Sequence, residues 1–389
     1  MPLRAESPRA AVRPAGAYAS LYSFSDGETG SNPLAGLTAF GGSLYGTTDL
    51  AGLGDGTVFQ SNASGEVSAV YRFAGPPDGA YPASRLVALG DKLYGTTTAG
   101  GKEGSGAVFA VSPSGGESVV YSFGKGGGGW DPNASLVVAG GLLYGTTRDG
   151  GAHAKGVVFS LTPSGTERVL HSFSGSPDGG SPSAGLTKFD DAFYGVTRAG
   201  GKNAGAGAVF RIDASGNERV LHSFGVAKHD GSNPAGELVA YKGVLYGTTI
   251  HGGSVGKGYG TVFAVHANGD ESVLHSFGVK DDGAYPFAGL VAFGGVLYGT
   301  TQGGGVAPQN PGYCIYYEFA QHDESAVRKC GTVFEVTTSG RESVLYRFTG
   351  DPDGANPIGG LVIFAGALYG TTYWGGSNAY YGTIFRVLP

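Results

Sequence analysis

Seven loops of this sequence carry chemically unlike side chains at equivalent places in a repeat. Each loop follows a Thr-Thr or Val-Thr pair, and its first residues are Asp49, Thr98, Arg148 with Asp149, Arg198, Ile250 with His251, Gln302, and Tyr373 with Trp374. A functional site brings a few unlike groups together on a rigid scaffold, so these positions are its best candidates. Acids, cations, an imidazole and aromatic rings in one set predict a hydroxyl-rich ligand.

Further candidates lie in the loops that precede the first strand of each repeat and in one long insertion. The third repeat has Gly127-Gly128-Gly129-Trp130-Asp131 where other repeats have Asp-Gly. The insertion Gly303–Lys329 is the longest loop, and long loops in compact domains are usually functional. It contributes Tyr313, Tyr316, Tyr317, Glu318, His322, Asp323 and Glu324. We expect all of these side chains on one face, around the mouth of a central channel, with the insertion as a lid.

Exposed aromatic rings beside planar polar groups favour a carbohydrate ligand. Rings stack on the apolar faces of sugars, and the polar groups bond the hydroxyls. The predicted ligand-binding residues are Asp49, Trp130, Asp131, Asp149, Gln302 and Trp374. The alternative is that the tryptophans pack beneath the loops and the charges only face water.

The same face could instead carry an enzyme that acts on a polysaccharide. In a lyase, Arg148 or Arg198 would neutralise a uronate, and His251 or Tyr373 would remove the α-proton. In a hydrolase, Asp149 would act with Asp131 or Asp49 across the scissile bond. The sequence has no Gly-x-Ser-x-Gly elbow, no phosphate-binding loop that opens a helix and no Cys/His zinc spacing. A structural or adhesive protein without a small ligand is a third alternative.

One recurring motif, Leu-Tyr-Gly-Thr-Thr, indicates the scaffold that carries these loops. Its tyrosines are Tyr45, Tyr94, Tyr144, Tyr194, Tyr246, Tyr298 and Tyr369, spaced by 49, 50, 50, 52, 52 and 71 residues. A period of about fifty residues indicates a repeat architecture. Each unit contains four short runs rich in Val, Phe, Tyr and Thr between turn residues, and none has helical period. The fold class predicted is all-β, a seven-bladed β-propeller with four-stranded blades.

The two ends of the chain are predicted to close the ring. The seventh repeat ends at Pro389 without a fourth strand, and the run from Ala19 to Phe24 supplies it at the other end. Closure removes open sheet edges, whereas an open solenoid, the alternative, needs distinctive caps. We expect a flexible tail over residues 1–17 and a single propeller over 18–389, with the insertion at about 303–329.

The repeat resembles a known family. Gly-Leu-Val before the first turn, Leu-Tyr-Gly-Thr-Thr, Gly-Gly and Gly-Thr-Val-Phe are similar to the tandem repeats called GloVer, found in predicted secreted bacterial proteins. The resemblance covers Tyr18 to Pro389 and implies a propeller outside the cytoplasm, but it brings no catalytic residues. The sequence departs from the pattern in the insertion after Thr301 and in the join Gly124–Gly129.

Composition and the cysteines narrow the function classes. The net charge is −6 and no basic block is present, which argues against nucleic-acid binding. No apolar run is long enough to span a bilayer, and residues 1–16 have no apolar stretch typical of a signal peptide. Cys314 and Cys330 both lie in the insertion, and we predict a disulfide, with two free thiols as the alternative. We expect a monomer in an extracellular or cell-surface setting.

Residues that recur in every blade are predicted to be scaffold. His171, His222 and His275 stand where other blades have tyrosine, so they should fill space and make one hydrogen bond, and no residue is assigned as a metal ligand. Six loops contain Asp-Gly followed by proline, with the aspartates Asp26, Asp78, Asp178, Asp230, Asp282 and Asp353. These predict Asx-turns. Ca²⁺ is the alternative, but one carboxylate falls short of its six to eight oxygens, so no cofactor is expected.

Overall fold

The computed structural model describes residues 18–51, 54–124, 128–203, 205–255, 258–278, 282–305, 314, 329–378 and 380–389. No helix long and apolar enough to cross a membrane is found in these ranges. The predicted tail at residues 1–17 and most of the predicted lid lie outside them, including Tyr313, Tyr316, Tyr317, Glu318, His322, Asp323 and Glu324.

All regular secondary structure of the described residues is β-strand. In chain order the strands are β1 (Tyr18–Ser23), β2 (Thr38–Phe40), β3 (Ser43–Thr48), β4 (Thr57–Ser61), β5 (Val67–Arg72), β6 (Gly79–Pro82), β7 (Val87–Leu89), β8 (Lys92–Gly100), β9 (Ala107–Val111), β10 (Glu117–Ser122), β11 (Gly129–Trp130), β12 (Val137–Ala139), β13 (Leu142–Thr147), β14 (Asp149–Gly150), β15 (Val157–Leu161), β16 (Glu167–Ser172), β17 (Thr187–Phe189), β18 (Ala192–Thr197), β19 (Ala208–Ile212), β20 (Glu218–Ser223), β21 (Gly231–Pro234), β22 (Val239–Tyr241), β23 (Val244–Gly252), β24 (Thr261–Val265), β25 (Glu271–Ser276), β26 (Gly283–Ala284), β27 (Val291–Phe293), β28 (Val296–Thr301), β29 (Gly303–Gly304), β30 (Thr332–Thr337), β31 (Glu342–Arg347), β32 (Val362–Phe364), β33 (Ala367–Thr372) and β34 (Thr383–Val387).

These strands form seven four-stranded antiparallel blades, as predicted. Blades 1 to 7, from inner to outer strand, are β2-β3-β4-β5, β7-β8-β9-β10, β12-β13-β15-β16, β17-β18-β19-β20, β22-β23-β24-β25, β27-β28-β30-β31 and β32-β33-β34-β1. The six remaining strands are short pieces of the loops. Strands β6 and β21 extend two of the blade sheets, β11 pairs with β14, and β26 pairs with β29.

The recurring motif builds the blades and joins them, as blade 3 shows. A Cβ on Gly145 would lie 2.7 Å from Leu136 and 2.8 Å from the ring of Phe159, so only glycine fits there. Thr146 donates a hydrogen bond to the carbonyl of Ala184 in blade 4 at 3.2 Å. Thr147 donates to the carbonyl of Asp149 at 2.9 Å and thereby fixes the start of the following loop. The motif is scaffold, and it also orients the loops that carry the candidate site.

The hydrophobic core is distributed between neighbouring blades. One cluster joins Val108 and Phe123 of blade 2 to Leu143 and Phe159 of blade 3, all at most 1% exposed. Each such side chain contributes about 1.5–3 kcal/mol on burial. Because a blade buries this surface only against its neighbours, the ring stabilises every blade.

The first strand completes the last blade and closes the ring. Strand β1 pairs antiparallel with β34, and Ser20 lies opposite Phe385. The ring of Tyr18 stacks on that of Tyr346 in blade 6, with centroids 3.7 Å apart, and its hydroxyl donates to the carbonyl of Asp353 at 2.6 Å. The predicted closure is confirmed, and the observed strand begins one residue earlier than expected.

Candidate functional site

The candidate loops are held by a backbone feature that sequence reasoning missed. In every blade the residue before the loop proline has a positive φ, between 52° and 59°: Asn32, Tyr81, Asp131, Ser181, Asn233, Tyr285 and Asn356. Such a conformation costs a residue with a side chain on the order of 1 kcal/mol. The carbonyls of several of these residues accept a hydrogen bond from the backbone amide of the residue that follows the Thr pair. Arg148 donates to Asp131 in this way at 3.0 Å, and Tyr373 donates to Asn356 at 3.1 Å. Each of the seven residues precedes a proline in the sequence, and this recurring step is the signal from which this clamp could have been found.

Blade 3 presents an exposed tryptophan on this clamp. Trp130 pairs with Asp149 in the short ladder β11-β14, and the residue is 40% exposed. A Cβ on Gly150, whose φ is +88°, would lie 2.9 Å from Cδ1 of Trp130. The indole therefore lies against a bare glycine backbone and keeps part of its surface open to solvent.

Arg148, the residue before Asp149, lies between two carboxylates. Its NH1 lies 3.3 Å from Oδ2 of Asp131, and its Nε lies 3.5 Å from Oδ2 of Asp149. The Arg148 side chain is 54% exposed. Burial raises the pKa of Asp131, with Arg148 opposing and Asp149 adding to the rise. We call Trp130, Asp131, Arg148 and Asp149 the blade 3 shelf; the structure brings these four predicted residues together.

Other predicted residues form separate pairs on other blades. The rings of Tyr373 and Trp374 meet edge to face at 4.8 Å. Trp374 is partly buried against the cluster that contains the disulfide, as the alternative interpretation of the tryptophans expected. His251 contacts the ring of Tyr285 edge to face, with centroids 5.7 Å apart.

The predicted disulfide between Cys314 and Cys330 is present. It lies close to Gln302, because Asn356 donates its backbone amide to the carbonyl of Cys330 at 2.9 Å and its side-chain amide to the carbonyl of Gln302 at 3.3 Å. Gln302 is 2% exposed, and within the described part of the chain neither atom of its side-chain amide has a hydrogen-bond partner. Gln302 is thus a buried polar group, not an exposed rim residue.

Two further predicted residues, Asp49 and Arg198, begin the loops of blades 1 and 4. Asp49 donates its backbone amide to the carbonyl of Asn32 at 3.1 Å, and burial raises the pKa of its carboxyl to about 6. Arg198 donates its backbone amide to the carbonyl of Ser181 at 3.2 Å. Both residues therefore use the same clamp as Arg148, each in its own blade.

The cavity on the ring axis is narrow and holds a different set of residues. It measures about 300 Å³ and is lined by the segments just before the innermost strands. One equivalent position of every blade is among the lining residues, occupied by Gly36, Arg85, Ser135, Gly185, Glu237, Gly289 and Gly360. Arg85 of blade 2 and Glu237 of blade 5 form an ion pair at 2.5 Å, which spans the ring. None of the predicted site residues lines this cavity. The blade 3 shelf contains four of them and is therefore the better candidate site.

Among the described residues, three seams between blades hold groups that could bind a metal ion. Each combines one histidine, one aspartate and one glutamate: His171 with Asp178 and Glu218, His222 with Asp230 and Glu271, and His275 with Asp282 and Glu342. Each histidine makes the single hydrogen bond that the sequence predicted, to its aspartate. The glutamate comes from the next blade, which sequence reasoning missed.

Comparisons with known proteins bear on the fold. The model of the Gloeobacter/Verrucomicrobia repeat matches residues 11–205 and 117–313. No curated protein sequence matches the chain.

Solved structures resemble the chain at low identity. A quinohemoprotein alcohol dehydrogenase from Comamonas testosteroni is 11% identical with a TM-score of 0.52, over 96% of this chain and 78% of that one. A gluconolactonase from Xanthomonas campestris is 14% identical with a TM-score of 0.45, over 96% of this chain and 89% of that one. At these identities the likeness concerns the fold alone.

Proposed function

The chain belongs to the Gloeobacter/Verrucomicrobia repeat family, and we propose that it is an extracellular β-propeller that binds a carbohydrate on its loop-bearing face. The blade 3 shelf is the binding site. The equivalent loops of blades 4, 5 and 7, with Arg198, His251 and Tyr373, would complete the face around it.

One observation carries this proposal, the exposed indole of Trp130 on the bare backbone of Gly150. A ring already held by packing loses little entropy when a sugar stacks on it. Tryptophan also combines a large apolar face with a polar edge, which suits a ligand that has both. The ring therefore offers a preformed platform.

The groups beside the ring suit hydroxyls. Arg148 presents several N–H donors, and Asp131 and Asp149 present acceptors. Since the two carboxylates hold the guanidinium, the polar groups are arranged before a ligand arrives. A net charge of −6 favours a neutral over a polyanionic glycan.

The setting outside the cell rests on two supports. The Cys314–Cys330 disulfide is typical of oxidising compartments. The family resemblance through the Leu-Tyr-Gly-Thr-Thr repeats points to the same setting.

A glycan array on the purified full chain tests the proposal, followed by calorimetry with the best ligand. We expect Trp130→Ala to weaken binding at least tenfold, since loss of one stacking ring costs about 1.4 kcal/mol or more. Tyr81→Ala is the matched control because Tyr81 is an aromatic residue with 39% exposure on the loop of blade 2, and it should leave affinity unchanged. Equal losses in both variants, or an array without any signal, would reject the proposal.

A hydrolase at the same shelf is the second candidate. Asp131 has a raised pKa through burial, and Asp149 adds to that rise; two carboxyls in unlike environments are the pattern of a general acid and its partner. Release of reducing ends, lost in both Asp131→Asn and Asp149→Asn, would establish it. Binding of the glycan without release of reducing ends would exclude the hydrolase and favour the carbohydrate-binding protein.

The lyase alternative has less support, because Arg148 already pairs with two carboxylates. A uronate would have to compete with both of them for the guanidinium. Growth of ultraviolet absorbance on a uronate polymer, absent in Arg148→Ala, would nevertheless favour it.

A further inference from the structure

The outer seams between blades 3 and 4, 4 and 5, and 5 and 6 each gather three ligating side chains. In the first, Nε2 of His171 on β16 lies 3.1 Å from Oδ2 of Asp178 in the following loop. Glu218, the first residue of β20 in blade 4, faces the same point. One nitrogen and two carboxylate oxygens lie within 4.8 Å of one another in every one of the three seams.

The glutamate of each seam has an unsatisfied oxygen. Oε1 of Glu218, Glu271 and Glu342 is buried and has no hydrogen-bond partner among the residues that the structure describes. A buried charged oxygen without a partner is costly, and a cation beside it would remove that cost.

Two of the seams open onto cavities. One of about 390 Å³ is lined by Asp178 and Glu218, and one of about 610 Å³ is lined by Asp230 and Glu271. An ion therefore has a way in, and water can reach the coordination position that the protein leaves open.

The donor set selects the kind of ion. Imidazole suits zinc and other first-row transition ions, and carboxylates fill the remaining positions. Ca²⁺ prefers six to eight oxygens and is disfavoured by a nitrogen and two carboxylates. Ligand atoms about 2.1 Å from a tetrahedral zinc lie about 3.4 Å apart, a spacing that small rotations of these side chains achieve.

We propose that the three His-Asp-Glu seams are binding sites for divalent transition ions of the zinc class, each joining two neighbouring blades. The histidine and aspartate come from one blade and its loop, and the glutamate comes from the next. An ion at each seam would link blades 3 to 6 along their outer edges. The sites lie on the outer strands and do not include the blade 3 shelf.

A seam without a histidine shows what the imidazole contributes. Between blades 1 and 2, Tyr71 takes the place of the histidine and donates to Oδ2 of Asp78 at 2.9 Å. Glu117 completes that seam, and its Oε1 is unpartnered in the same way. An unpartnered glutamate Oε1 is therefore a feature of the repeat, and the imidazole nitrogen is what makes a seam a metal site. The chain thus carries its own control.

Metal stoichiometry tests the proposal without reference to any activity. The full chain is stripped with a chelator, dialysed against Zn²⁺ at pH 7.5 and measured by atomic emission and by thermal unfolding. The triple variant His171→Tyr, His222→Tyr and His275→Tyr places in each seam the residue that sister seams already carry, so it should fold. We expect it to hold three fewer ions per chain than the wild type and to lose the zinc-dependent rise in Tm.

The reverse substitution makes the test independent of ions bound elsewhere. Tyr71→His adds a histidine beside Asp78 and Glu117 and should gain one ion per chain. Tyr71→Phe should gain none. An unchanged zinc content in the triple variant, or a wild type that retains no zinc after dialysis, would overturn the proposal.

Discussion

At the blade 3 shelf the position of Trp130 depends on Gly150. With φ at +88°, a Cβ on this residue would lie 2.6 Å from the carbonyl oxygen of Gly128 and 2.9 Å from the indole. Gly150→Ala should therefore lower the free energy of unfolding by about 2–4 kcal/mol through a strained φ and a clash, and it should also weaken glycan binding. Urea unfolding and calorimetry measure the two effects.

A matched substitution separates the clash from the strained backbone. Gly140, in the hairpin turn of the same blade, has φ of +57° with nothing within 4 Å of its Cβ position. Gly140→Ala should cost only the about 1 kcal/mol of the left-handed conformation and leave binding intact. Equal effects of the two alanines would contradict the role given to Gly150.

Glu117 makes stability depend on pH in a seam that has no histidine. Burial above all, with Asp78 adding, raises its pKa from 4.5 to about 7. The folded protein therefore holds the proton more tightly than the unfolded chain, and stability is lost as pH rises from about 4.5 to about 7. Glu117→Gln should remove that loss and be more stable than wild type at pH 8, by about 1 kcal/mol once solvent screening is allowed for.

Chemical unfolding of wild type and Glu117→Gln at pH 4.5, 6 and 8 provides the check. The difference between the two proteins should grow with pH. A constant difference across this range would show that the carboxyl of Glu117 does not titrate as described.

At the scale of elements, the central segments of blades 2 and 5 are tied across the ring by Arg85 and Glu237. Both side chains are partly exposed, 43% and 26%, so the pair should contribute modestly. We expect a double-mutant cycle with Arg85→Gly and Glu237→Gly to give a coupling of about 0.5–1 kcal/mol that falls with added salt. Glycine is tolerated because four other blades carry it at this position.

The surface pair Arg211 and Asp191 is the control for this cycle. It lies at 3.1 Å, but its aspartate is 86% exposed, so the coupling should be near zero. A larger coupling there than across the ring would contradict the role given to the central pair.

The elements were predictable because each is specified locally and repeated. The glycine pair at Gly140 and Gly141, with φ of 57° and 77°, marks a hairpin in any context. Backbone conformation decides where a strand begins: β15 begins at Val157 because Gly156 already turns at a positive φ. Spacing and turn chemistry therefore give the fold almost completely.

The site was predictable only in part, because its contacts join distant parts of the chain. Trp130, Asp131, Arg148 and Asp149 are close in sequence, and their grouping follows from one blade. Arg85 and Glu237 are separated by 152 residues, and the glutamate of each metal seam belongs to the next blade. A single repeat carries no information about which residues meet across a ring or a seam.

At the scale of the whole molecule, the ring is held shut by one strand of six residues. Tyr18 anchors its start by stacking on Tyr346 at 3.7 Å and by its hydrogen bond to Asp353. Tyr18→Ala should lower the free energy of unfolding by about 3–5 kcal/mol, the cost of removing a large packed aromatic ring.

Tyr22→Phe is the milder comparison in the same strand. It removes only the contact between the hydroxyls of Tyr22 and Thr29 at 2.8 Å and should cost about 1 kcal/mol. Thermal and urea unfolding of both variants measure the contribution of closure. If Tyr18→Ala were as stable as Tyr22→Phe, the packing of Tyr18 would not be what holds the ring closed.

The most direct test of the proposed function is a fluorescence titration of the Trp374→Phe variant. The protein has two tryptophans, so this substitution leaves Trp130 as the single indole reporter. Addition of the oligosaccharide selected on the array should change its emission along a saturable curve, with the same dissociation constant as calorimetry. Calorimetric binding that leaves the emission of Trp130 unchanged would place the ligand elsewhere and contradict the account.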